Sequence, residues 1–230
     1  MRKDVMISAA TALIGVCFAS AQEENIIAAS EPTAPVEVMN TKHACFFHGP
    51  FVGLSAGFAN AKWDGKPVAA GTKFDITKNG VGVALNVGYI HALHNGFSIG
   101  VEGRGDFFPS LEGKKDPYEV KLDTPGKFAG SGDLLMGYNC PQIKGCVGIM
   151  AGGTYFKSKV TNKTEKKDAT FAQFAPEGGV FYVAKIHKNI GLGLYGLYGF
   201  GLKDKQKIGT EEFNLTTPRI AAGARVYYNF

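Results

Sequence analysis

Arg219-Ile-Ala-Ala-Gly-Ala-Arg-Val-Tyr-Tyr-Asn-Phe230 is the final stretch of the chain, and its reading decides the fold. Taken with period two, one face is Ile220, Ala222, Ala224, Val226, Tyr228 and Phe230. The other is Arg219, Ala221, Gly223, Arg225, Tyr227 and Asn229. That period belongs to a β-strand. Arginines along one face and aromatics at the tip of the other suit a strand with lipid on one side and a polar interior on the other.

The same alternation recurs upstream about every 20 to 25 residues, the length of one tilted spanning strand plus its connection. Phe51 to Ala61 sets Val52, Leu54, Ala56 and Phe58 against Gly53, Ser55 and Gly57. Gly80 to Ile90 sets five apolar residues from Val81 to Tyr89 against Gly82, Ala84, Asn86 and Gly88. Asn95-Gly96 then marks a tight hairpin, and Phe97 to Phe107 sets Phe97, Ile99 and Val101 against Ser98, Glu102, Arg104 and Asp106. Lys127 to Tyr138 is less regular, because Leu135 falls on the polar side beside Ser131 and Asp133. Val147 to Phe156, Phe171 to Ala184 and Gly191 to Leu202 follow, and Pro176 predicts a bend or bulge in the second of these. With Arg219 to Phe230 the total is eight. Connections alternate between short turns and longer polar stretches (62–77, 109–126, 157–170 and 203–212), the pattern of periplasmic turns and external loops.

Composition agrees. The 230 residues include 31 glycines, with 12% aromatic and 20% charged residues, as expected of an all-β domain. Mean hydropathy is −0.03, too low for a helical membrane bundle but compatible with alternating strands. Residues 1–21 read as a secretory signal: Arg2 and Lys3, an apolar run from Val5 to Phe18, and Ala19-Ser20-Ala21 before cleavage at Gln22. Lipoprotein processing at Cys17 fits less well, because Val16 precedes it where a small residue is wanted. Residues 22–48, with Glu23, Glu24, Glu31, Pro32 and Pro35, read as a periplasmic arm. No later stretch is apolar enough to be a spanning helix, so residues 49–230 must cross a membrane as a closed barrel. The net charge of +5 comes from lysines gathered in connections such as Lys157 to Lys167, a solvated surface or an attraction for anionic lipopolysaccharide.

Arg104, Arg219 and Arg225, all the arginines after the signal, fall on the inward face with Glu102, Asp106, Asp133 and Glu177. In a small barrel these charges should pair in salt-bridged networks. A structural plug is the plainer reading and a charge-lined solute path the sharper one. Cys45, Cys140 and Cys146 follow the signal, and an oxidising periplasm favours a disulfide. Cys140 and Cys146 flank one turn and are the expected pair, with Cys45 as a competitor. All five histidines, His43, His48, His91, His94 and His187, map to the periplasmic side, where polar turn residues explain them better than a metal or haem site. No nucleotide-binding loop, HExxH or CxxC motif occurs, and neither a cofactor nor catalysis is expected.

The chain resembles the small outer-membrane β-barrels of Gram-negative bacteria grouped with the outer-membrane protein A transmembrane domain and the opacity adhesins. Gly49-Pro-Phe-Val-Gly-Leu-Ser-Ala-Gly-Phe58, Gly178-Gly-Val-Phe-Tyr182 and Val226-Tyr-Tyr-Asn-Phe230 carry the resemblance. It implies an eight-stranded antiparallel up-and-down barrel in the outer membrane, set in lipid and lipopolysaccharide. It also implies that Val226, Tyr228 and Phe230 form the signal read by the barrel-assembly machinery. Arg225 departs from it, standing where a glycine is frequent. A surface protein whose external loops touch host molecules is the first expectation of function, with no role for nucleic acid. A small passive channel is the alternative, and a membrane-embedded enzyme or haem binder stands behind both. The competing fold is a secreted lipocalin-like barrel, whose interior would be apolar and exterior polar.

Overall fold

The computed structural model describes residues 48–67, 73–93, 96–109, 111–122, 128–140, 143, 145–208 and 211–230. The signal reading (1–21) and, apart from His48, the arm reading (22–48) lie outside the described residues. The strands are β1 (Gly49–Pro67), β2 (Phe74–Ala92), β3 (Phe97–Phe107), β4 (Glu112–Lys115), β5 (Tyr118–Leu122) and β6 (Phe128–Cys140). They continue with β7 (Gly145–Asn162), β8 (Lys167–Lys185), β9 (Ile190–Gly199), β10 (Asp204–Ile208), β11 (Glu211–Thr216) and β12 (Arg219–Asn229).

Eight of these form a closed antiparallel barrel in the order β1-β12-β9-β8-β7-β6-β3-β2, and β2 returns to β1. The last strand closes the ring, pairing with β1 from Phe51↔Asn229 to Ala61↔Arg219 and with β9 from Tyr228↔Ile190 to Arg219↔Gly199. Its end is tied on both sides. The Phe230 amide donates to the Pro50 carbonyl at 3.1 Å, and the Asn229 amide to the Asn189 carbonyl at 2.8 Å.

Through this ring Leu54, Val83, Leu85, Val101, Leu134, Leu194 and Val226 point outward and are exposed, while Ser55, Asn86, Arg104, Asp133 and Arg225 point inward and are buried. A lipocalin-like barrel has the opposite polarity. With no hydrophobic drive toward the inside, the interior is held by polar contacts and by aromatic rings lying over glycines. Gly57 and Gly223 face each other across β1 and β12 beneath Tyr195. A Cβ on Gly57 would come within 2.8 Å of the Tyr195 hydroxyl, and one on Gly223 within 2.9 Å of its ring.

Two expectations are corrected. β1, β2 and β8 run 19 residues and β7 runs 18, nearly twice the spanning length of about 9–11. Much of the stretches expected as polar loops at 62–77 and 157–170 is therefore strand. There the outward face is charged and the inward face apolar, with Trp63, Phe74, Ile76, Phe156, Val160 and Phe171 buried. Secondly, Pro176 makes no bulge, because the pairing of β8 with β7 runs one-to-one through Gly153↔Pro176. Pro176 stands one residue beyond Glu177↔Gly199, where the β8–β9 ladder ends, so its missing N–H faces a break in the wall. Its carbonyl accepts from the Phe200 amide at 2.7 Å.

Above the ring the wall regroups. β11 takes the place of β12 beside β1, from Asp64↔Thr216 to Pro67↔Phe213, and β10 pairs with β11. β5 takes the place of β6 beside β7, from Leu122↔Ser158 to Tyr118↔Asn162, and β4 pairs with β5. Among the described residues no strand pairing joins β2 to β4 or β8 to β10. The upper half is thus a sandwich of two sheets, β10-β11-β1-β2 and β4-β5-β7-β8. Its filling crosses between them. Phe74 meets Tyr118 with ring centroids 4.8 Å apart, Tyr118 meets Phe213 at 5.7 Å, and the Trp63 indole donates to Ser158 Oγ at 3.2 Å.

Candidate functional site: the charged layer in the lumen

One row of the ladder explains how four of the lumen charges converge. Arg219 (β12) stands opposite Gly199 (β9), which stands opposite Glu177 (β8). Glu177 faces Gly152 (β7), Gly152 faces Asp133 (β6), and Asp133 faces Glu102 (β3). Glycines interrupt the charged positions and leave room for long side chains. A Cβ on Gly152 would come within 2.5 Å of Asp133 Oδ1.

Arg104 is the hub. Its Nε lies 3.2 Å from Asp106 Oδ1, its Nη1 3.1 Å from Asp133 Oδ2, and its Nη2 2.5 Å from Glu177 Oε1 and 3.0 Å from Ser131 Oγ. Arg219 Nη2 reaches Glu177 Oε2 at 2.9 Å and Thr154 Oγ1 at 3.0 Å. Arg225 forms the lower half. Its Nη1 lies 3.1 Å from Glu102 Oε2 and also donates to the Tyr227 hydroxyl, which donates in turn to Glu102 at 3.3 Å. The Tyr195 ring centroid is 4.2 Å from the Arg225 guanidinium carbon. The structure thus places Glu102, Arg104, Asp106, Asp133, Glu177, Arg219 and Arg225 in one buried layer. Thr154, Ser131 and Tyr195 complete it; the sequence signal for them is a polar or aromatic residue at inward parity.

Chemically the layer is a plug. Its carboxylates are occupied by guanidiniums, and buried ion pairs of this kind hold position more than they add stability. Apolar side chains close it on both sides. Below, Phe51, Ile90, Leu135, Phe181 and Val183 leave a cavity of about 20 Å³ beside Arg225 and Tyr227. Above, Ala61, Trp63, Phe108, Leu111 and Phe156 leave about 10 Å³ beside Arg219. Each holds about one water at most.

The expected Cys140–Cys146 bond is corrected. Cys140 is disulfide-bonded, but Cys146 is a buried thiol whose sulfur lies 3.9 Å from Ser98 Oγ. The register explains the difference. Cys146 stands opposite Asn139 and Cys140 opposite Gly145, so the two side chains leave opposite faces of the sheet. Cys146 joins the interior with Phe181, whereas Cys140 packs outside with Val147 and Tyr138. The sulfur bonded to Cys140 and the whole of Cys45 lie outside the described residues.

His48 and His91 meet with ring centroids 5.2 Å apart at the barrel's lower rim. His48 Nδ1 accepts from the Ala92 amide at 3.2 Å. Among the described residues no three His, Cys, Asp or Glu side chains gather to hold a metal ion. His43 and His94 lie outside them.

A closed ring of eight antiparallel strands, apolar toward lipid and charged within, is now in view. This is the architecture of an outer-membrane β-barrel. No protein-family model matches the chain, and no curated protein matches it in sequence. Solved structures resemble it in shape. Neisserial surface protein A is 12% identical over 80% of this chain and 100% of that one, with a TM-score of 0.42. The outer membrane protein OprG from Pseudomonas aeruginosa is 12% identical over 81% and 100%, with a TM-score of 0.45. Ail, the attachment invasion locus protein of Yersinia pestis, is 16% identical over 78% and 99%, with a TM-score of 0.39. These likenesses are of architecture, and the strand pairing itself establishes the barrel here.

Proposed function

We propose that the protein is a structural surface protein of the outer membrane that presents its upper sandwich to host or partner molecules. One observation carries this reading. The lumen is filled by the charged layer and its two apolar plugs, while the longest strands build an ordered platform above the membrane. The contact surface is then the outward, lysine-rich faces of two sheets. Val226, Tyr228 and Phe230 remain the proposed assembly signal, with the three side chains exposed along the outer face of β12.

The channel reading rests on the charged layer. A solute would have to displace both plugs and part the guanidinium–carboxylate pairs between them. Planar-bilayer recording on the refolded chain separates the readings. The surface reading expects no steps above baseline, and discrete conductance steps abolished by filling the layer with bulk would overturn it. Deletion that leaves envelope integrity and host-cell binding unchanged would also count against it.

A further inference from the structure

We propose that the outward face of the β4-β5-β7-β8 sheet binds the phosphorylated headgroup of a glycolipid in the surrounding leaflet, through Lys121, Lys157 and Lys159. On β7 the outward face passes from lipid-exposed Tyr155 to Lys157 and then to Lys159. On β8 the same levels are Phe174, Ala172 and Thr170, by the register Tyr155↔Phe174, Lys157↔Ala172 and Lys159↔Thr170. Lys159 stands directly opposite Lys121 on β5. Two residues along a strand advance about 6.6 Å, so the first lysine sits one step above the aromatic belt. This is the depth of headgroup phosphates next to acyl chains, where near-surface lysines attract anionic lipid. Ala172 and Thr170, beside the lysines, are short and exposed.

The charge pattern calls for an anion. Like charges directly opposite on one face repel. Asp168 pairs with Lys159, and Glu112 stands across from Lys121 on its far side. No carboxylate among the described residues forms an ion pair with Lys157 or Lys121. The opposite sheet is an internal comparison. On β1, Asn60 stands above lipid-exposed Phe58 and bonds Asn79 at 2.6 Å, and Lys62 above it is matched by Asp75 at 2.9 Å.

The test uses the full chain refolded into phosphatidylcholine nanodiscs and titrated with bis-phosphorylated lipid A. Bound lipid is counted by native mass spectrometry, and the thermal midpoint is followed. Saturable binding is expected, about fivefold weaker for each lysine removed in K121Q, K157Q and their double variant. K205Q/K207Q, on the opposite sheet, should bind as the wild type does. Heat-modifiable gel migration confirms that each variant is folded, and K157R, which keeps the charge, should keep the binding. Equal binding of phosphate-free lipid A would overturn the proposal. So would an equal loss in K205Q/K207Q, which would mean diffuse charge, or full competition by inorganic phosphate or a soluble polyanion, which would mean that no lipid is needed.

Discussion

The lower and upper halves of this barrel share strands but invert their polarity. Along β1 the outward face reads Leu54, Ala56, Phe58 and then Asn60, Lys62, Asp64, while the inward face reads Gly53, Ser55, Gly57 and then Ala59, Ala61, Trp63. β2, β7 and β8 change over at the same level, near Asn79, Lys157 and Ala172. The parity of the side chains never shifts; only the solvent outside does. In lipid an apolar interior gains nothing over the apolar outside, so the lower half is held by ion pairs, hydrogen bonds and rings over glycines. In water the hydrophobic effect returns, and the upper half fills with Trp63, Phe74, Tyr118, Phe171 and Phe213.

The largest perturbation should come from the hub of the lower half. Arg104→Met leaves Asp106, Asp133 and Glu177 with one guanidinium fewer, and breaking a buried pair this way costs about 3–5 kcal/mol. Urea unfolding in detergent micelles, followed by gel mobility, should show the lower half losing stability. An unchanged midpoint would mean that the layer is not what holds the lumen. Trp63→Ala should cost about 3–4 kcal/mol, but in the upper half alone. Hydrogen exchange should rise in β4, β5, β10 and β11 and stay low in the ring, and a loss spread through both halves would break the distinction drawn here. Gly57→Val should cost about 1–3 kcal/mol by overpacking, because its Cβ meets the Ala222 carbonyl at 2.6 Å and the Tyr195 hydroxyl. A cost near zero would show that the rings over glycines are loosely fitted.

The smallest effect should come from Asp204, on β10 in the upper half. Burial raises its pKa, and its Oδ2 has no hydrogen-bond partner among the described residues. A carboxyl whose folded pKa is raised destabilises the fold as pH rises from the ordinary carboxylate range through the folded pKa. Asp204→Asn should therefore stabilise the upper half at neutral pH and confer no gain below the ordinary carboxylate range. Equal gains at both pH values would mean that the charge is not the cause.

The lower half was legible because lipid-facing strands advertise themselves: alternate Val, Leu and Tyr against Gly, Ser and charge have no other ready reading. The upper half was written with the same period, but Lys62, Asp64, Lys66, Asp75, Lys157 and Lys159 made its outward face look like solvated loop. The alternate positions Trp63, Phe74, Ile76, Val160 and Phe171 carried the missing signal. The inward position of the seven charges followed from parity alone. Their pairing depended on which strands become neighbours at which register, and that is set by closure of the whole ring. The cysteine pairing failed for the same reason, since a stagger of one residue sends two nearby side chains to opposite faces.

That dependence on closure gives the charged layer a place in time. Glu102 and Arg225 are separated by 123 residues in the chain, and Arg104 and Glu177 by 73. β12 alone brings Arg219 and Arg225. Until it docks, Glu102 lacks its guanidinium and Glu177 lacks one of two, so a half-built sheet carries uncompensated charge on the face that must become the lumen. Pairing of β12 with β1 and β9 offsets most of that charge in the same step that removes the open edges. The layer therefore acts as a latch, which favours the finished ring over every partial one.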